Sequence, residues 1–158
     1  METIKQIDER YVAHTYKRFP VEIASGKYDV IFSGKQMRSL LSAFSSAFSA
    51  KNALLGMSRL AGKEGVKIAT DIVTITDDPM REGCPVQTSF DDEGVATSKK
   101  TIVGKGVLKT FLYNIEEAKQ AKVESTGNGY GGSVIGVSTS FVEVKPGKKS
   151  KEELLDLV

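Results

Sequence analysis

The chain has 158 residues, about one domain's worth, of which 40% are apolar and 27% charged. That composition points to a soluble globular chain and away from a disordered, fibrous or membrane-embedded one. Its 22 Lys and Arg against 20 Asp and Glu leave a net charge of +2, which gives no whole-chain electrostatic reason to bind nucleic acid or an anionic membrane.

The single cysteine, Cys84, excludes an internal disulfide and a multi-cysteine zinc site, and the single histidine, His14, excludes chemistry needing two imidazoles from this chain. Met1 to Arg10 is polar and mixed in charge, so no signal peptide and a cytoplasmic protein are expected.

Along the chain, Ile4, Ile7, Tyr11, Val12 and Thr15 follow the three-and-four spacing of a helix over 2–18, which Pro20 stops. Val21–Ala24 and Tyr28–Phe32 around Ser25-Gly26-Lys27 suggest strand, turn, strand. Ser33 or Gly34 can cap the clearest helix, in which Met37, Leu40, Leu41, Phe44 and Phe48 share one face. Its other face is largely serine and alanine, so the sequence predicts a helix covered on both sides. A second helix is expected from Ala53 to about Leu60.

From Val66 to Ile75 β-branched residues alternate, predicting a strand ended by Asp77-Asp78-Pro79. Ala96–Val103 and Val107–Tyr113 flank Gly104-Lys105-Gly106 and predict a hairpin. Asn114 caps a short helix, Ile115–Lys122; a polar glycine-rich stretch, Ser125–Gly132, precedes a strand over Val134–Val144. Ser150 with Glu153 forms a capping box for a last short helix that ends with the chain, and the chain reads as cut there. The fold class expected is α+β, a mostly antiparallel sheet with several packed helices.

Gly127-Asn128-Gly129-Tyr130-Gly131-Gly132 satisfies the dinucleotide pattern G-x-G-x-x-G, but that mechanism needs a strand before it and a helix N-terminus after it. A flexible or ligand-covering loop is the favoured reading. The carboxylates Asp77, Asp78, Glu82, Asp91, Asp92 and Glu93 could hold a hard cation or act as an acid–base pair. The favoured reading has them forming turns and accepting main-chain N–H groups at strand ends, with Asp91-Asp92-Glu93 as a structural latch. His14 reads as an ordinary surface or interface histidine. Cys84, in a Gly-Cys-Pro turn, reads as a small packed residue, and Lys145, Lys148, Lys149 and Lys151 as a solvated turn.

The order of segments goes further. Leu40-Leu41-Ser42-Ala43, Gly62-Lys63-Glu64-Gly65, Thr76-Asp77-Asp78-Pro79, Phe90-Asp91-Asp92-Glu93-Gly94-Val95, Gly106-Val107-Leu108 and Ser125-Thr126-Gly127-Asn128 resemble the TldD/PmbA family. That family is known both as modulators of DNA gyrase and as peptidases that process peptides and antitoxins. The resemblance runs from Tyr28 to Leu157 and implies a fragment of a larger two-domain protein. Residues 1–25 would end the N-terminal domain or form a linking helix, and 26–158 would begin the C-terminal β-rich domain.

By the same resemblance, the catalytic branch carries an HExxxH zinc motif on the helix where this chain has Ser42, Ala43 and Ala47 in place of His, Glu and His. Hydroxyl and methyl groups cannot replace imidazole ligands or the glutamate that activates zinc-bound water. The chain therefore resembles the metal-free PmbA (TldE) branch, which pairs with a TldD-type catalytic subunit carrying the zinc. The remaining zinc ligand of the family would lie in a C-terminal region beyond this sequence.

The resemblance implies a non-catalytic partner subunit of a peptidase acting on unfolded peptides, with no metal of its own, no nucleic-acid or membrane partner, and possible self-association. Peptide- or interface-contact candidates are Asp91, Asp92, Glu93, Gly94, Ser125, Thr126, Gly127 and Asn128. The alternative is a non-enzymatic protein-binding module acting on a partner such as gyrase. A third reading, an independent hydrolase using Asp91-Asp92-Glu93, lacks an identifiable nucleophile or electrophile beside them.

Overall fold

The computed structural model describes residues 30–83 and 86–156. The chain divides into two compact units, residues 1–30 and 31–158, and every described element belongs to the second. The helix expected over 2–18 with His14, most of the strand–turn–strand at 21–32, and Cys84 with Pro85 lie outside the described residues.

The unit is α+β. Its elements are α1 (Gly34–Phe44), a 3-10 turn (Ser45–Phe48), α2 (Ala50–Leu54), β1 (Ile75–Asp77), β2 (Lys100–Gly104), β3 (Val107–Leu108), α3 (Ile115–Ala121), β4 (Gly129–Tyr130), β5 (Gly136–Val137), β6 (Val142–Val144) and α4 (Lys151–Leu155). β3, β2, β1 and β6 form a four-stranded sheet in that order, and β4 pairs with β5. Every strand pair is antiparallel.

The β2–β3 connection is a two-residue hairpin, with Lys105 at φ 48° and Gly106 at φ 76°. Two consecutive positive φ values match the right-handed twist of the flanking strands. Ile102, Val103 and Leu108 from this hairpin are buried with Ile75, Leu112 and Ala118 in the core. Asn114 starts α3 as expected, its side chain accepting from Glu117 N–H. Ser150 and Glu153 complete the reciprocal capping box of α4.

Several expectations are corrected. Only Ile75–Asp77 of the 66–77 stretch is strand. The main chain before it wraps the hairpin tip: Ile68 and Ala69 N–H donate to Gly106 O, Gly106 N–H to Val73 O, and Leu108 N–H to Val66 O. The alternation is real, yet only the 65–67 segment bonds to β3 and the rest bonds to the turn, so no continuous ladder forms, and Ile72 is left 85% exposed.

The helix expected at 53–60 is instead α2, five residues ending at Leu54, because Gly56 adopts φ 70° and turns the chain out of the helix. The expected 134–144 strand is two strands, broken at 138–141 where main-chain groups are taken by side chains.

α1 begins where the sequence places it, with Ser33 Oγ accepting from Gln36 N–H. Among the described residues its apolar face is only partly covered. Leu41 and Phe48 reach the core, but no residue of α1 is buried and Phe44 is 64% exposed. The expected two-sided cover is absent among the described residues. The fall into 3-10 geometry after Phe44 follows Ser45 Oγ bonding back to Ser42 O, the local competition serine offers a helix.

Candidate functional site

Two polar knots and one groove make up the site. The first knot starts from strand register. Asp77, last in β1, stands opposite Lys100, first in β2, so opposite charges meet across an antiparallel pair. Asp77 and Asn128 are fully buried, and the Lys100 side chain is 9% exposed.

Lys100 Nζ donates to Thr126 O at 2.6 Å and Asn128 Oδ1 at 2.8 Å, and lies 3.8 Å from Asp77 Oδ2. Asn128 Nδ2 donates to Asp77 Oδ2 and to Ser138 O, both at 2.8 Å. The other oxygen, Asp77 Oδ1, accepts from Ser140 N–H at 3.0 Å and Phe141 N–H at 2.7 Å. A buried charge is tolerated only when so fully bonded.

Burial pushes the Lys100 ammonium below its usual pKa, with the Asp77 and Asp91 carboxylates opposing that shift. Folding therefore costs more while Lys100 stays protonated. Between its lowered folded value and 10.5 the unfolded chain binds the proton and the folded chain does not, so stability rises with pH there. Urea unfolding of wild type and Lys100→Met from pH 7 to 10.5 is expected to show the difference between them shifting in favour of wild type as pH rises.

The second knot joins the FDDEG segment to the glycine-rich stretch. Asp91 Oδ1 accepts from Glu93 and Val95 N–H, at 3.0 and 2.9 Å, and its Oδ2 from Gly129 N–H at 2.9 Å. Asp92 Oδ2 accepts from Gly131 N–H at 2.8 Å, and Asp92 N–H donates to Gly129 O. Glu93 Oε2 accepts from Ile115 N–H at 2.7 Å, at the start of α3. A Cβ on Gly129 would stand 2.5 Å from that Glu93 oxygen, so a side chain there would have to displace Glu93 from Ile115 N–H. Gly94 N–H closes the turn on Asp91 O.

The structure thus brings together all eight contact candidates. Ser125 Oγ donates to Tyr113 O; the Thr126 hydroxyl accepts from Tyr113 N–H and lies 2.8 Å from Asn128 Oδ1. Gly127, Asn128 and Gly129 are buried, which corrects the reading of this stretch as a covering loop. A strand and not a helix follows Asn128, so the pyrophosphate cradle of a dinucleotide site is lacking. Of the eight, Asp92 and Gly94 are exposed and Asp91 is 2% exposed. Sequence reasoning missed Lys100. A lysine heading a strand carries no signal of burial, since lysines are almost never buried unless paired.

The groove, of about 580 Å³, lies between α1 and β6, with Met37, Leu41, Ser42 and Phe48 on one wall and Val142 and Val144 on the other. Phe141 O accepts from Asp78 N–H and Lys145 N–H donates to Thr74 O. The flanking residues 141 and 145, in phase with Glu143, therefore bond toward the β1 stretch, and the main-chain groups of Val142 and Val144 point outward from the sheet edge. No described strand pairs with that edge. A second pocket, of about 420 Å³, shares Ser140 and Phe141 and adds Tyr130, whose phenol is bonded to Ser140 Oγ at 2.8 Å. Burial raises the Tyr130 pKa, the Ser140 bond opposing it.

Ser42 and Ala43 are exposed on α1, and Ala47 sits in the 3-10 turn with its carbonyl accepting from Ser58 Oγ at 2.7 Å. The side-chain chemistry at these three places does not fit a zinc ion. No cluster of three His, Cys, Asp or Glu side chains suited to a metal occurs among the described residues. No described helix is long and apolar enough to cross a membrane.

Residues 25–158 match the family model of the PmbA/TldA metallopeptidase C-terminal domain. A metalloprotease of Methanocaldococcus jannaschii is 38% identical over 60% of this chain and 21% of its own length. A solved protein of Thermotoga maritima, described as a candidate modulator of a DNA gyrase, superposes with a TM-score of 0.68 at 41% identity, covering 74% of this chain and 27% of that one. TldE of Thermococcus kodakarensis superposes with a TM-score of 0.67 at 34% identity, over 73% of this chain and 28% of that one. The chain spans well under half the length of the curated relatives it matches, 21% of one and 38% of another.

Proposed function

This chain belongs to the PmbA/TldD metallopeptidase family, and from that premise we propose that it is a non-catalytic, cytoplasmic partner subunit of a TldD/TldE-type zinc-dependent peptidase that processes or degrades unfolded peptides. In this reading residues 1–25 end an N-terminal domain or link to it, and 26–158 begin the C-terminal one. The zinc belongs to a TldD-like catalytic subunit.

The observation that carries the proposal is the groove beside Ser42. It couples an unpaired sheet edge to an apolar helix face, while the neighbouring motif positions offer a hydroxyl and methyl groups. An extended peptide can add to a free edge through main-chain hydrogen bonds, with alternate side chains meeting the apolar wall. The motif positions Ser42, Ala43 and Ala47 offer no zinc ligand, so in this reading the chain holds and its partner cuts. Asp92 and Gly94 supply the exposed part of the contact surface, which Asp91, Glu93 and Ser125–Asn128 hold in place.

The test is co-expression with an HExxxH-bearing chain of the family. Chelator-sensitive cleavage of unfolded casein is expected from the pair and not from this chain alone, and metal analysis of the isolated chain should find far less than one zinc per molecule, unchanged by Ser42→Ala. Cleavage by this chain alone, abolished by chelator, would overturn the proposal. Recovery of gyrase subunits without any peptidase would favour the non-enzymatic alternative.

A further inference from the structure

The two ends of the first knot do different things. One end is internal, where Lys100 Nζ meets Thr126 O and Asn128 Oδ1. The other lies at the groove, where Asp77 Oδ1 holds the N–H groups of Ser140 and Phe141, both of which line it just before β6. We infer that Lys100 is a positioning residue for the groove, acting through Asn128 and Asp77 on the entry to the free edge of β6.

The chain of constraint follows from donor and acceptor inventories. An amide has one oxygen and one NH2 group. Lys100 and Thr126 both engage the oxygen of Asn128, which leaves its NH2 group facing Asp77 Oδ2 and Ser138 O. Asp77 Oδ2 is thereby taken, by Asn128 directly and by the Lys100 charge at 3.8 Å, and only Oδ1 is free for the two amides. Without the cation, Asn128 loses its strongest donor and the carboxylate loses its countercharge. A buried carboxylate so stranded draws water or turns, and the Ser140–Phe141 segment loses its anchor. Main-chain groups of Val142 and Val144 then no longer stand in strand geometry for an incoming peptide.

This inference rests on the reading of the groove as a peptide site, so the test carries two separate readouts on the chain as it stands. The first is amide hydrogen exchange without peptide. Lys100→Met is expected to speed exchange at Ser140 and Phe141 about tenfold while Val103 and Leu108, in the same sheet, hold their rates. The second is fluorescence anisotropy with a fluorescein-labelled decapeptide of alternating valine and serine, for which the variant's Kd should rise about tenfold. Lys100→Arg, which keeps a cation, should return both toward wild type.

Should Lys100→Met not fold, Lys100→Gln, which keeps N–H donors without charge, takes its place with the same expected direction. Unchanged exchange at Ser140 and Phe141, acceleration spread equally to Val103 and Leu108, or an Arg variant indistinguishable from Met would each overturn the inference. A wild-type chain that fails to bind the peptide would instead sink the groove reading, while the exchange data still decide what Lys100 positions.

Discussion

Replacing Asp77 by alanine is expected to lower the unfolding free energy by about 4 kcal/mol, read as a fall in the urea midpoint. The carboxylate is fully buried and serves four groups: Ser140 N–H, Phe141 N–H, the Asn128 amide and the Lys100 ammonium. Truncation leaves the two amides without their acceptor, takes one partner from Asn128 and removes the countercharge from Lys100, and the uncompensated cation is the costliest. The double variant Asp77→Ala/Lys100→Met should therefore be less unstable than the sum of its two single variants, because it removes the orphaned charge. Asp77→Asn, which keeps an acceptor for the two amides, should fall between wild type and alanine. An Asp77→Ala midpoint equal to wild type would show that the knot contributes little.

Gly106→Ala is expected to cost about 3 kcal/mol. Two causes add. The residue sits at φ 76° in the hairpin turn, a conformation a side chain resists. A methyl there would also meet Ala69 O and, at 2.7 Å, Thr70 O, both main-chain atoms of the segment that wraps the turn. Neither oxygen can swing aside, since the wrap is bonded to Gly106 itself. Gly34→Ala, where nothing lies within 4 Å of the added carbon, is the control and should be close to neutral or stabilising within α1. Equal midpoints for the two alanine variants would remove the argument from close approach.

What could be read in the sequence was local. Asn114 before α3, Ser150 with Glu153 before α4, and Gly-Lys-Gly between two β-rich runs each specify a short-range hydrogen-bond pattern, and each is found. The resemblance added the family and, with it, the significance of Ser42, Ala43 and Ala47. What failed was the inference from polarity to exposure in the glycine-rich stretch, although Lys145, Lys148, Lys149 and Lys151 are exposed as expected. Ser125–Gly132 looks like surface because it is polar and rich in glycine, yet its polar groups bond to Tyr113, Lys100, Asp77 and Asp91, and a Cβ added at Gly129 or Gly127 would stand within 3 Å of Glu93 or the Ala96 carbonyl. The alternation at Val66–Ile75 specifies two faces but not what the main chain bonds to. The apolar stripe of α1 marks a contact face without showing what covers it. Lys100 could not be found at all, because its role exists only once Asp77 and Asn128 are brought beside it.

The first knot also bears on how the chain acquires its shape. Asp77, Lys100 and Asn128 come from three separated stretches, with Ser140 and Phe141 from a fourth. None gains by leaving water early, since each finds its partners only when the others have arrived. Closure is thus a cooperative, late event on the folding route, and the entrance to β6 is among the last surfaces to take form. A nascent chain would present its own unfinished edge before it could hold anyone else's.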